Sequence, residues 1–94
     1  MTMIRIVLAD DQTIIREGLY SILKSYSDMD VVGQAGNGRE AYDLSIKLKP
    51  DIVLMDIRMP VMDGVEATRL IKRDQPETRV IILTTFEDDE YIIN

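Results

Sequence analysis

Three aspartates stand directly after short apolar runs and are the residues best suited to chemistry. Asp10 and Asp11 follow the run 6–9, and Asp56 follows the run 52–55. Such runs are typical of strands buried on both faces of a parallel sheet, and open α/β sheets bind ligands at the carboxyl ends of their strands. Clustered carboxylates repel one another unless a cation is shared among them. The pattern therefore predicts a divalent metal site.

Each acid also has a plainer interpretation. An isolated Asp-Asp pair after a strand is more often a turn or a helix cap than a ligand pair. The match in position between this pair and Asp56 is what favours a site. Asp63 and Glu66 have the spacing of a capping box and are interpreted as a cap rather than as ligands.

Composition bounds the remaining possibilities. With 94 residues the chain is one small domain, and without cysteine it has neither a disulfide nor a thiolate metal site. The net charge of -6, with scattered Lys and Arg, argues against direct nucleic acid binding. No apolar run is long enough to cross a membrane, and the start lacks the layout of a signal peptide, so we expect a cytoplasmic protein. The chain has no histidine, so any imidazole must come from a partner.

Strand and helix patterns alternate along the whole chain. Strands are predicted over 4–9, 31–35, 52–55 and 79–84. The expected inner faces of the helices comprise Ile14, Ile15, Leu19, Ile22, Leu23 and Tyr26 in the first, Ala41, Leu44 and Leu48 in the second, and Ala67, Leu70 and Ile71 in the third. Caps are expected at Asn37 and Asp63, each with a glutamate three residues later. Alternation of this kind predicts a flavodoxin-like, doubly wound parallel sheet in the order 2-1-3-4, which places the three aspartates in one pocket.

The chain resembles the receiver domain of bacterial two-component response regulators. The resemblance rests on the acidic pair in LADDQ, the segment LMDIRMPVMDGVEA and the hydroxyl residue in ILTTF. The segments VVGQAGNGREA and TTFEDDEYI are similar to the subfamily in which a helix-turn-helix DNA-binding output domain follows the receiver domain. That output domain is not in this chain.

The resemblance implies roles for particular residues. Asp56 accepts a phosphoryl group from a histidine kinase. Asp11 binds Mg²⁺ directly, with Asp56 and the backbone carbonyl of Arg58 as further ligands, and Asp10 acts directly or through water. Thr84, which alone would be an ordinary β-branched strand residue, contacts the phosphoryl group as a switch. The protein is then no enzyme in the usual sense, since it catalyses only its own phosphorylation and dephosphorylation.

The chain also departs from the family. The family continues with a fifth strand that carries a lysine and with a fifth helix, and neither follows Asn94. We therefore expect residues 1–94 to be an incomplete receiver domain whose phosphorylation is slow. Its fourth strand would be an apolar edge, which predicts a homodimer or a domain-swapped oligomer.

Three other functions fit the sequence pattern less well. An Asp-nucleophile phosphatase usually has Asp-x-Asp after its first strand, whereas this chain has adjacent aspartates. A flavin or nucleotide binder needs a phosphate loop, whereas ADDQT offers negative charge. The remaining alternative is a phosphorylation-independent interaction module made from an incomplete receiver domain.

Overall fold

The computed structural model describes residues 3–83. In chain order the elements are β1 (Ile4–Ala9), α1 (Thr13–Lys24), β2 (Met29–Ala35), α2 (Gly38–Leu48), β3 (Ile52–Asp56), α3 (Gly64–Asp74) and β4 (Arg79–Leu83). None of the described helices is both long and apolar enough to span a membrane.

The strands form one parallel sheet in the order β2-β1-β3-β4, which confirms the predicted topology. β1 and β3 are neighbours, and Ala9 lies opposite Met55 in their register. The next residues, Asp10 and Asp56, therefore lie at the same level at the carboxyl ends of these strands. The register of the two apolar runs is thus what brings the acids together.

The main hydrophobic core lies on the side of the sheet covered by α2 and α3. Alternate residues of β1 and β3 meet small residues of the two helices there, and the buried members of this cluster are Val7, Ala9, Ala35, Ala41, Val53, Met55, Met59, Ala67 and Ile71. Ile6 and Leu8 are also buried, and their side chains point to the opposite face because successive residues of a strand alternate. α1 packs against β1 and β2 on that second face.

The expected burial of α1 is wrong in part. No residue of α1 is buried, and Ile14 and Ile22 are 84% and 58% exposed. The face that does meet the sheet is narrow, with Leu19 and Leu23 half-buried. The apolar spacing of a helix shows which side chains share a face, but the depth of burial depends on what packs over that face.

The caps at the starts of α2 and α3 are confirmed. Asn37 Oδ1 accepts the backbone N–H of Glu40 at 2.9 Å, and Asp63 Oδ1 accepts that of Glu66 at 2.9 Å. In each predicted capping box, the glutamate has a partner other than the backbone N–H of the cap residue. Glu40 Oε1 accepts from Gly36 N at 2.8 Å, one residue before the cap, and the carboxylate of Glu66 pairs with Arg69. In both helices the side-chain oxygen of the N-cap residue stabilises the first turn by accepting a backbone N–H.

Element boundaries differ from the prediction by one or two residues. β2 begins at Met29 instead of residue 31, and α1 ends at Lys24, so Tyr26 lies beyond it. α2 ends where Lys49 adopts a left-handed conformation ahead of Pro50. β4 occupies one edge of the described sheet, and its Ile81 and Ile82 are 47% and 38% exposed. Thr84, the last residue of the predicted strand, lies outside the described residues.

Candidate functional site

The three predicted acids form one cluster at the carboxyl edge of the sheet. Asp10 and Asp11 occupy the turn between β1 and α1, and Asp56 is the last residue of β3. One carboxylate oxygen of each residue lies within 4.8 Å of the other two. The structure therefore brings together the residues that the sequence pattern placed in one pocket.

The cluster is buried on one side and open on the other. Asp10 and Asp56 are 4% and 6% exposed, whereas Asp11 is exposed to solvent. Burial raises the pKa of the Asp10 carboxyl above its usual value, and the negative charge of Asp11 acts in the same direction. The backbone N–H of Gln12 and the charge of Arg16 oppose this rise in pKa. The protein thus holds negative charge where it is unfavourable without a cation.

Backbone donors orient the two buried carboxylates. Asp10 Oδ1 accepts the N–H of Gln12 at 2.9 Å, and Asp56 Oδ1 accepts the N–H of Ile57 at 2.9 Å. Ile57 directly follows β3, and Gln12 is the N-cap residue of α1, so the turns that follow the two strands also fix the side chains. Fixed carboxylates are what a ligand or nucleophile position requires.

The loop between β3 and α3 is held close to Asp56. Gly64 N donates to the carbonyl of Ile57 at 2.8 Å, and a Cβ at position 64 would overlap the carbonyl oxygen of Asp56. Glycine is therefore required for this close approach. The loop also contacts α2, because Gly38 N donates to the carbonyl of Met62 at 2.8 Å.

The same loop contains a strained turn at Val61. The N–H of Met62 donates to the carbonyl of Pro60 at 2.7 Å, and Val61 between them has a φ of 68°. A hydrogen bond across one residue with positive φ is characteristic of the strained form of the γ-turn, and a β-branched residue is an outlier there. Strained residues of this kind concentrate near functional sites.

The other predicted site residues lie in different settings. Arg58 is exposed and is the second residue after Asp56, in the β3–α3 loop. Thr84, the predicted switch residue, lies outside the described residues, so its role stays a prediction.

Sequence reasoning did not single out Arg16. Its guanidinium donates to the backbone carbonyl of Asp10 at 2.6 Å. Its position as the fourth residue of the helix that follows the acidic pair was the available signal. That spacing alone does not say which way the side chain turns.

The donor set indicates what the site could bind. Three clustered carboxylates offer hard oxygen ligands and a negative charge, and together they could hold a metal ion. Mg²⁺ is bound in proteins by few carboxylates and keeps several of its waters. A partly open acidic pocket fits that mode of binding.

This chain belongs to the response regulator receiver domain family, whose model matches residues 6–94. Among curated proteins, the transcriptional regulatory protein LnrK of Bacillus subtilis is 52% identical over 90 residues, which cover 96% of this chain and 41% of LnrK. The chain therefore spans about two fifths of the length of that relative.

Solved structures agree with this assignment. A LuxR-family two-component response regulator from Aurantimonas has a TM-score of 0.87 and 35% identity, covering 98% of this chain and 66% of the other. A DNA-binding response regulator of the LuxR family from Staphylococcus aureus has a TM-score of 0.86 and 30% identity, covering 97% and 76%. The flavodoxin-like receiver fold and the likeness to transcription regulators follow from these matches.

Proposed function

We propose that this chain is the phosphoacceptor unit of a two-component response regulator and that Asp56 receives the phosphoryl group from a histidine kinase. The observation that carries the proposal is the position of Asp56, buried at the carboxyl end of β3 and within 4.8 Å of two further carboxylates. The whole of 1–94 is taken as part of this receiver domain.

The geometry of Asp56 supports the proposed phosphoryl transfer. A carboxylate oxygen attacks the phosphorus of the kinase phosphohistidine, the P–N bond breaks, and its electron pair returns to the imidazole. The product is an acyl phosphate on Asp56. The hydrogen bond from Ile57 N to Oδ1 holds the carboxylate in a fixed orientation during this exchange. Positioning of this kind supplies much of the rate of phosphoryl transfer.

Asp10 and Asp11 would hold Mg²⁺ together with Asp56, and we retain the backbone carbonyl of Arg58 as a further proposed ligand. A bound Mg²⁺ would offset the charge of the carboxylates and of the phosphoryl oxygens. The turn between β1 and α1 keeps Asp10 buried and Asp11 exposed, so the pocket offers one ligand from inside and one from the solvent side.

Exposed apolar side chains on the segments that follow the acids support a protein partner. Ile14, Val61 and Val65 are 84%, 83% and 58% exposed, and they lie on α1, the β3–α3 loop and α3. Large apolar side chains left exposed on these segments offer apolar area to a partner. We assign this partner role to the histidine kinase. Since the chain contains no histidine, the imidazole must come from that partner.

The output is proposed to be transcription regulation through a DNA-binding domain outside this chain, in the cytoplasm. The net charge of -6 argues against DNA contact by the receiver domain itself. Thr84 remains the proposed switch residue that meets the phosphoryl group.

Self-association through the exposed edge of β4 stays a prediction. Light scattering on material whose mass is confirmed to end at Asn94 measures it, and a dispersed monomer with cooperative unfolding contradicts it.

The test is covalent labelling. Incubation of the full-length protein with Mg²⁺ and a small acyl-phosphate donor should add one phosphoryl group by intact mass, and Asp56→Asn should prevent the addition. Asp43→Asn is the matched control, because Asp43 is exposed on α2 and the charge change is the same. No labelling of the unmodified protein, or undiminished labelling of Asp56→Asn, contradicts the proposal. The first of these results favours a phosphorylation-independent interaction module.

A further inference from the structure

The side chain of Arg16 connects three elements beside the acidic cluster. From α1 its Nη1 donates to the backbone carbonyl of Asp10 at 2.6 Å, and its Nε donates to Gln34 Oε1 at 3.2 Å. Asp10 belongs to the turn after β1, and Gln34 lies near the carboxyl end of β2. One planar guanidinium thus joins the first helix, the acidic turn and the neighbouring strand.

This contact completes the restraint of the acidic turn. The backbone N–H of Asp10 donates to the carbonyl of Ala35 at 3.0 Å, which ties the turn to β2. The carboxylate of Asp10 accepts the N–H of Gln12 at 2.9 Å, which ties it to the start of α1. The backbone carbonyl of Asp10 is the group that Arg16 binds, so both backbone polar groups of this buried residue are engaged.

Charge alone gives no reason for an arginine at this place in a cation site. A guanidinium is always protonated, and a positive charge near the acids opposes the binding of another cation. If Arg16 acted only through its charge, its removal would strengthen metal binding. If it acts by holding the turn, its removal would weaken metal binding. The two roles therefore predict opposite signs.

We propose that Arg16 is a positioning residue, which holds the Asp10–Asp11 turn in the geometry that the metal and phosphoryl site requires. This inference rests on the proposed function for its metal-binding part. Arg16 acts through the backbone carbonyl of Asp10 and not by contact with the metal or the phosphoryl group.

The first measurement needs no metal. Amide hydrogen exchange of Asp10 and Gln12 is compared in the unmodified protein, Arg16→Gln, Arg16→Lys and the control Arg39→Gln, which removes the same charge from the exposed face of α2. Exchange at both amides should be about tenfold faster in Arg16→Gln, the effect of losing one charge-assisted hydrogen bond. The exchange rates in Arg16→Lys should lie between those of the unmodified protein and Arg16→Gln, because the single ammonium nitrogen of lysine cannot reproduce the fork of donors that contacts both Asp10 and Gln34. Equal exchange in Arg16→Gln and Arg39→Gln overturns the proposal.

The second measurement is Mg²⁺ affinity by calorimetry, well below the unfolding temperature of each variant. Arg16→Gln should bind Mg²⁺ about tenfold more weakly, at the lower end of what loss of a supporting partner costs a metal site. Equal or tighter binding overturns the positioning role. If the unmodified protein does not bind Mg²⁺, the proposed function fails, and the exchange result alone then decides whether Arg16 positions the turn.

Discussion

Removal of the Asp11 charge should stabilise the protein without metal and destabilise it relative to the unmodified protein when Mg²⁺ is abundant. The Asp11→Asn variant keeps the size of the side chain and removes one of three negative charges whose oxygens lie within 4.8 Å of one another. Two charges at that distance repel by about 0.9 kcal/mol in water and by about 3.5 kcal/mol at an effective dielectric constant of 20.

The exposure of Asp11 places the effect near the lower of these limits. Summed over its two neighbours, and allowing for solvent screening, the gain in the free energy of unfolding should be about 1 to 2 kcal/mol. Mg²⁺ acts in the other direction, because binding to the folded state stabilises by mass action. At about one hundred times its dissociation constant, Mg²⁺ adds about 2.7 kcal/mol to the unmodified protein. The order of stability of the two proteins should therefore reverse.

The assay is urea unfolding followed by circular dichroism, first in chelator and then across a range of Mg²⁺ concentrations. For a chain of 94 residues, each kcal/mol also corresponds to a shift in melting temperature of about 4 to 8 °C. Glu77→Gln is the control. Glu77 is exposed in the turn before β4, at the amino ends of the strands, whereas the acidic cluster lies at their carboxyl ends. A variant that is less stable than the unmodified protein in chelator refutes the repulsion argument. Stability of the unmodified protein that does not respond to Mg²⁺ refutes the metal site.

Two further predictions concern the loop and the helix pair that support the site. Val61 is 83% exposed with a φ of 68°, and a sparsely populated backbone conformation of this kind costs about 1 to 3 kcal/mol. Val61→Gly should therefore be about 1 kcal/mol more stable than Val61→Ala in urea unfolding. Alanine equal to or better than glycine would show that the turn is unstrained. Hydrogen bonds from Arg73 and from Tyr42, the latter at 2.5 Å, lower the pKa of Asp74 from 3.8 to about 2. Because this pKa is lower in the folded state, the contact stabilises above pH 3.8 and less as the pH falls towards 2, so Tyr42→Phe should lower stability at pH 7 with a deficit that narrows between pH 4 and pH 2. A deficit that does not change with pH would mean that Tyr42 stabilises by packing alone.

Much of the architecture could be predicted because its signals are local. The apolar runs before Asp10 and Asp56 are read directly from the chain, and the alternation of strand and helix leaves few ways to connect a parallel sheet. The sequence predicts the caps at Asn37 and Asp63 because the hydrogen bond from a cap to the third helical residue spans only three positions. The predicted start of β2 at residue 31 is wrong by two residues, because pairing with β1 extends the strand to Met29, beyond its most apolar residues.

The sequence by itself determined which residue types the site has and on which strands they lie, because a strand's apolar run fixes where its carboxyl end falls. Only the tertiary structure decided the rest. The burial of Asp10 beside an exposed Asp11 and the contact of Arg16 with the Asp10 carbonyl depend on side-chain direction. The close approach of Gly64 to Asp56 depends on the path of the loop between β3 and α3. The exposure of Ile14 and Ile22 has the same origin, since helical spacing shows which residues share a face and only packing shows what covers it.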